Sequence, residues 1–141
     1  MLSMNSYPKE YIDECRSKID QQLSAYKNLV EAGSNNEQLN TAFEVFEPHF
    51  FNHMVLALDH YFGHRSRTLE KKDGNPLNEV RMLCNSIMEH ENKLTAEKSI
   101  KYKPEKSVLK IEIGDEIKLT VGDFELLSKA FLDEMESKFL G

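Results

Sequence analysis

Apolar residues recur every three or four positions through most of this chain, which is the spacing of one face of an α-helix. The first such stripe is narrow and ends at Gly33, a residue type that commonly terminates helices. It predicts a helix from Lys9 to Ala32. The apolar positions of this stripe, called the N-terminal seam below, are Ile12, Cys15, Ile19, Leu23, Tyr26 and Val30.

Helical spacing continues in the next part of the chain. A second helix is predicted to begin near Glu37, and Pro48 is expected to kink or break it at Glu47, because proline removes a backbone hydrogen bond. A long helix is then predicted from Pro48 to about Glu70. Asn75 followed by Pro76 is typical of a helix start and predicts the next helix.

The hydrophobic period changes to two near residue 109, which favours β-strands. Gly114-Asp115 lies between the two alternating runs, as a hairpin turn would. A capping-box pattern at Thr120–Asp123 predicts the start of the last helix. We therefore expect an α+β fold, with a bundle of about four long helices and an antiparallel β-hairpin before the C-terminal helix. The apolar positions of the two runs are Leu109, Ile111 and Ile113, then Ile117, Leu119 and Val121.

The length of 141 residues fits one domain, residues 1–141. Eighteen Lys and Arg against 24 Asp and Glu give a net charge of −6, which disfavours general nucleic-acid binding. No apolar run is long enough for a membrane span. Two cysteines, Cys15 and Cys84, are too few for a disulfide framework, and the N-terminus lacks a secretory pattern. These features predict a cytoplasmic protein with reduced, buried thiols.

Four of the five histidines fall on one line of the helix predicted from Pro48 to Glu70. Each pair is spaced i, i+4, so two imidazoles can reach one zinc or iron ion. A complete site needs further ligands, and a half-exposed histidine bonded to a neighbouring carboxylate explains the pattern as well. The candidate metal ligands are His49, His53, His60 and His64, with His90, Glu79, Asp13, Glu14 and Asp20 as unranked additional ligands.

A basic run follows the histidines, and it offers a site for a polyanion such as RNA or for an acidic partner. A solvated helix end is the alternative interpretation, because positive charge complements the dipole of a helix C-terminus. The basic residues of this run are Arg65, Arg67, Lys71 and Lys72.

Residues 51–83, FNHMVLALDHYFGHRSRTLEKKDGNPLNEVRML, and the later KPEKSVLKIEIGDEIKLTVGDF resemble a family of small bacterial proteins of unassigned function. The most specific piece is HRSRTLEKKDGNPLNEVR, residues 64–81. The resemblance implies a bacterial cytoplasmic protein and carries over no catalytic residues. The N-terminal helix lies outside it.

Three functions remain open from the sequence. The first is a non-enzymatic binding or interaction module that forms a homodimer through the N-terminal seam, although a partner helix within the chain explains that seam equally well. The second is a zinc- or iron-binding protein, or a metal-dependent enzyme, that uses the helical histidine pairs. The third is RNA or polyanion binding through residues 65–72.

Overall fold

The computed structural model describes residues 3–141, and its regular elements are helices. The α+β prediction is wrong, because residues 3–141 contain no sheet and their β pairing is limited to three isolated bridges. The elements are α1 (Lys9–Ala32), α2 (Glu37–His60), α3 (Arg67–Glu70), α4 (Pro76–Glu89) and α5 (Val121–Phe139), with a 3₁₀ helix at Pro104–Lys106.

Helix α5 is the element around which the others pack, since it contacts α1, α2, α3 and α4. The core is rich in aromatic rings that are almost completely buried: Phe51, Phe62, Phe124, Phe131 and Phe139. The N-terminal seam from Ile12 to Tyr26 is buried in this same core. These seam residues therefore pack against other parts of the same chain and are not exposed to a second copy.

Local capping signals account for the helix ends. The α1 bounds are confirmed, and so is the start of α4, where the Asn75 side chain accepts from the amides of Leu77 and Asn78. The capping box of α5 is also confirmed, because Thr120 and Asp123 each accept the other's amide. Such short-range patterns are readable from sequence because both partners lie within one turn.

Helix α2 begins at Glu37 as predicted, but it differs from its prediction at Glu47 and at its C-terminal end. It runs without interruption through Pro48, so the break at Glu47 is wrong. It ends at His60 and does not continue to Glu70. A turn follows, in which the amides of Phe62 and Gly63 donate to the carbonyls of Asp59 and His60. The amide and the side chain of Arg65 both donate to the Phe62 carbonyl in this turn.

The predicted β-hairpin at residues 109–121 is replaced by an irregular segment on the helices. Lys110 has φ +58°, a left-handed conformation that interrupts an extended strand. A turn does form at Gly114, but it pairs with Leu94, whose amide and carbonyl bond to Asp115 and Gly114. Ile117 and Leu119 are buried between the helices. The alternating apolar residues therefore mark anchoring points on the core and not a sheet.

Backbone amides of this segment are satisfied partly by side chains from the helices and partly by backbone carbonyls, as where Ile117 donates to Asn92. Asn52 of α2 accepts from the amide of Leu119 at 3.1 Å and donates to the carbonyl of Ile117 at 2.8 Å. Glu79 of α4 accepts from the amides of Val108 and Leu109. Buried backbone groups need partners, and these two side chains replace the neighbouring strand that a hairpin would have supplied.

Candidate functional site

The histidine line is divided by the end of α2. His49, His53 and His60 are exposed on α2, and His64 lies beyond it in the following turn. Within residues 3–141, no three His, Cys, Asp or Glu side chains form a group that could hold a metal ion. The four predicted ligands are thus not gathered with one another or with the additional candidates. Zinc or iron binding stays a prediction, and the intact i, i+4 pair within α2 is His49 and His53.

The basic run is also divided, in this case by burial. Arg67, Lys71 and Lys72 are exposed, whereas Arg65 is buried. The Arg65 guanidinium donates to Glu70 at 2.8 Å, lies 2.9 Å from an Asp59 oxygen, and sits 5.3 Å from the centre of the Phe131 ring. The Arg65 charge is therefore paired inside the fold, and of the four basic residues only Arg67, Lys71 and Lys72 face solvent.

Glu70 is the centre of a buried polar network that sequence reasoning missed. Its carboxylate accepts from Arg65, from Asn78 at 2.8 Å, and from Arg81 at 2.6 and 3.0 Å. Burial opposes ionisation, but the Arg81 hydrogen bond and the two arginine charges outweigh it and hold the pKa of Glu70 below its ordinary value. Glu70 is thus a fully satisfied ionised group.

The same network fixes the chain around the Asp73-Gly74 turn. Asn78 donates to the carbonyl of Lys71 and accepts from the amide of Gly74. Gly74 has φ +90°, and an added Cβ would lie 2.3 Å from the Lys101 carbonyl oxygen, so only glycine fits. The most specific piece of the resemblance, residues 64–81, therefore builds structure in this fold.

Glu79 is a second buried carboxylate, but no arginine or lysine pairs with it among the described residues. Burial raises its pKa, and the two amides that it accepts offset this only partly. Both oxygens are engaged by the 108–109 backbone. Like Glu70, this carboxyl group is engaged by partners within the fold, and neither group lies free in a cleft as a general acid or base requires.

The two thiols are poor nucleophiles. Cys15 is buried and Cys84 half-buried, and neither forms a disulfide. Burial is the main cause that raises the pKa of both thiols, so each is protonated at neutral pH.

A groove lies between the C-terminal half of α1 and the N-terminal half of α2, with a volume of about 500 Å³. Tyr26 and Phe43 form part of its apolar lining, with their ring centres 6.3 Å apart. Its polar rim is mainly acidic. We call it the α1–α2 groove, and its lining consists of Tyr26, Lys27, Val30, Glu31, Ser34, Asn40, Phe43, Glu44, Glu47 and Val121.

The charges on the rim of the α1–α2 groove are unevenly paired. Lys27 is bound to Glu125 at 3.0 Å, and Glu47 accepts from the Val121 amide at 2.8 Å. Among residues 3–141, the ion pairs leave Glu31 and Glu44 without a cationic partner. The groove thus presents two free carboxylates beside an apolar floor.

Exposed apolar side chains also lie on α1 and α2, the two helices that form most of the α1–α2 groove. Leu29, Leu39, Val45 and Phe46 are all exposed, and Val45 and Phe46 keep 64% and 46% of their surface accessible. Sequence reasoning missed this site because its lining comes from three elements. The available signal was that residues 37–47 carry apolar side chains on more than one side of the helix, which exceeds what one buried face requires.

No helix in residues 3–141 combines the length and apolarity of a membrane span. Comparison of the chain with protein-family models, with curated proteins and with solved structures gave no match.

Proposed function

We propose that this chain is a non-enzymatic interaction module that binds a cationic, amphipathic segment of a partner protein in the α1–α2 groove. The observation that carries the proposal is the combination of an apolar floor with the unpaired carboxylates of Glu31 and Glu44. An amphipathic helix places apolar residues into such a groove and its charged residues along the rim. The acidic rim selects lysine or arginine at those positions.

Two further observations support binding in preference to catalysis. The buried carboxylates of Glu70 and Glu79 are engaged by partners within the fold, and both thiols are held protonated by burial. Exposed apolar side chains that cluster on one part of a surface are typical of interaction sites. The cytoplasmic location remains a prediction from the sequence.

A synthetic amphipathic helical peptide of leucine and lysine tests the proposal. We expect it to bind the wild-type chain in fluorescence anisotropy more tightly than a matched peptide of leucine and glutamate. The double substitution Glu31→Lys with Glu44→Lys should weaken binding of the lysine peptide by about tenfold or more, equivalent to about 1.4 kcal/mol. The matched control is Glu89→Lys with Glu112→Lys, which changes the net charge equally at exposed sites elsewhere.

The apolar contribution has its own comparison. Phe46→Ser beside the groove should weaken binding of the lysine peptide. Leu126→Ser, which removes an exposed apolar residue from α5, should leave that binding unchanged. If the groove charge variant and its charge control lost the same affinity for the lysine peptide, the peptide would be sensing only the overall negative charge, and the proposal would be rejected. Equal loss of affinity in the two serine variants would also reject it.

A second candidate function is polyanion binding, because one contact enlarges the exposed basic run. The Lys101 amide donates to the Lys72 carbonyl at 2.9 Å, which places Lys101 next to Lys71 and Lys72. Retention on a heparin column should then fall steeply with salt. It should also fall in Lys72→Glu with Lys101→Glu, but not in the exposed control pair Lys93→Glu with Lys106→Glu. Failure to bind heparin at low salt would remove this candidate.

A further inference from the structure

His49 and His53 form a donor pair on the outer surface of α2. The helix is continuous from Glu37 to His60, so these two residues lie one turn apart on the same face. Both side chains are exposed. Residues at i and i+4 have their Cβ atoms about 5–6 Å apart, a separation from which two imidazoles reach a single ion.

The ring of His53 makes a backbone hydrogen bond of the kind that metal-binding histidines commonly make. Its Nδ1 lies 2.9 Å from the backbone carbonyl oxygen of His49. Because a carbonyl only accepts, Nδ1 carries the proton and the lone pair is on Nε2. Metal-binding histidines commonly donate their second ring nitrogen to a carbonyl in this way, which fixes the ring and raises its basicity. This hydrogen bond leaves Nε2 as the nitrogen of His53 that is available to a metal ion.

Two nitrogens are half of a tetrahedral zinc site. Within residues 3–141, no third His, Cys, Asp or Glu joins the pair, so the remaining positions are open to water or to side chains of another molecule. A twofold axis would bring the same two histidines from a second copy. We propose that His49 and His53 of two copies bind one zinc ion with four nitrogen ligands, and that zinc drives dimer formation. This inference does not use the lining of the α1–α2 groove, although the exposed Phe46 bears on both proposals.

The surroundings of the pair suit such an interface. Val45 precedes His49 by one turn on α2, and Phe46 precedes His53 by seven residues, or about two turns. Both are exposed apolar side chains that a second α2 would cover. Each chain carries a net charge of −6, so two copies repel each other. A divalent cation at the contact offsets part of that repulsion, which makes the dimer dependent on the metal.

Size-exclusion chromatography with light scattering tests the proposal on untagged, chelator-treated full-length protein. We expect a monomer without metal and a doubled mass after addition of zinc chloride. Isothermal titration should give one zinc per two chains. A chain that stays monomeric with zinc, or that binds zinc one-to-one without dimer formation, overturns the proposal.

Histidine variants separate this site from incidental zinc binding. His49→Gln and His53→Gln should each abolish the zinc-dependent mass increase, while His90→Gln, which removes an exposed histidine at the end of α4, should leave it unchanged. Circular dichroism checks that each variant is folded, as expected for exposed positions. A zinc-dependent dimer that persists in both helix variants also overturns the proposal.

Discussion

At the scale of single residues, two buried glutamates show how the surroundings of a carboxylate decide its effect on stability. Glu70 has a lowered pKa because arginine donors outweigh burial, and Glu79 has a raised pKa because burial dominates. Ionised Glu70 therefore stabilises the folded state above its unfolded pKa. Glu79 acts in the opposite direction, since its stabilising contribution is lost as the pH rises through its folded pKa.

Replacing Glu70 by glutamine should strongly destabilise the protein at neutral pH. The change removes the carboxylate that Arg65 and Arg81 share and leaves Asp59 as the remaining carboxylate partner of buried Arg65. Breaking a buried pair typically costs about 3–5 kcal/mol. Urea unfolding at pH 7 measures the loss. Glu89→Gln, at an exposed position of α4, is the control and should change the unfolding free energy by less than about 0.5 kcal/mol.

The difference in unfolding free energy between the wild type and Glu70→Gln should depend on pH. The folded pKa of Glu70 lies below its ordinary value of 4.5, so the unfolded chain takes up the proton first as the pH falls. The advantage of the wild type over Glu70→Gln should therefore shrink below pH 4.5. An advantage that stays constant down to acid unfolding would contradict the assigned ionisation of Glu70.

Lys71 carries backbone strain that glycine would relieve. Its φ of 67° and ψ of −174° lie in a region that is essentially restricted to glycine and costs other residues about 1–3 kcal/mol. Glycine also gives the unfolded chain more conformational entropy, which lowers stability by about 0.5–1 kcal/mol. The net effect of Lys71→Gly should therefore be an unfolding free energy that is higher by about 1 kcal/mol. Lys72→Gly, the matched neighbour, should not raise it, and equal effects of the two changes in urea unfolding would contradict the account.

At the scale of elements, the sequence predicts helices whose signals are local. The bounds of α1 and the caps at Asn75 and Thr120 follow from residues within a turn of each other. The hairpin prediction failed because the partners of residues 107–119 are distant in sequence. Asn52 donates to the Ile117 carbonyl and accepts from the Leu119 amide across 65 and 67 positions. A period-two pattern does not reveal that a side chain and not a strand will bond these two backbone groups.

Asn52→Ala tests the claim that one side chain holds this segment. Loss of the amide leaves the Leu119 N–H and the Ile117 carbonyl without these partners, and each buried unsatisfied group costs about 1–3 kcal/mol. Hydrogen exchange of the Leu119 amide should become faster than in the wild type, while exchange in α1 changes little. Asn28→Ala, at an exposed position of α1, is the control. Unchanged protection of Leu119 in Asn52→Ala would show that the segment is held by other contacts.

At the scale of the whole molecule, polar groups divide into those that hold the fold and those that face solvent. Glu70, Arg65 and Glu79 belong to the first group. The histidine pair on α2 and the rim of the α1–α2 groove belong to the second. Sequence periodicity identified the pair His49 and His53 because both lie on α2, whereas His64 lies beyond the end of that helix. It could not identify the groove, since Tyr26, Phe43 and Val121 meet only after three helices have packed.

The location of peptide binding tests the central claim, that this fold is an interaction module whose partner occupies the α1–α2 groove. The measurement is an amide NMR titration of the isotopically labelled chain with the leucine–lysine peptide. We expect the largest shift changes at Val30, Phe43 and Glu44 and at Val121 across the groove. Changes centred on residues 64–72, or spread evenly over the acidic surface, would contradict the account.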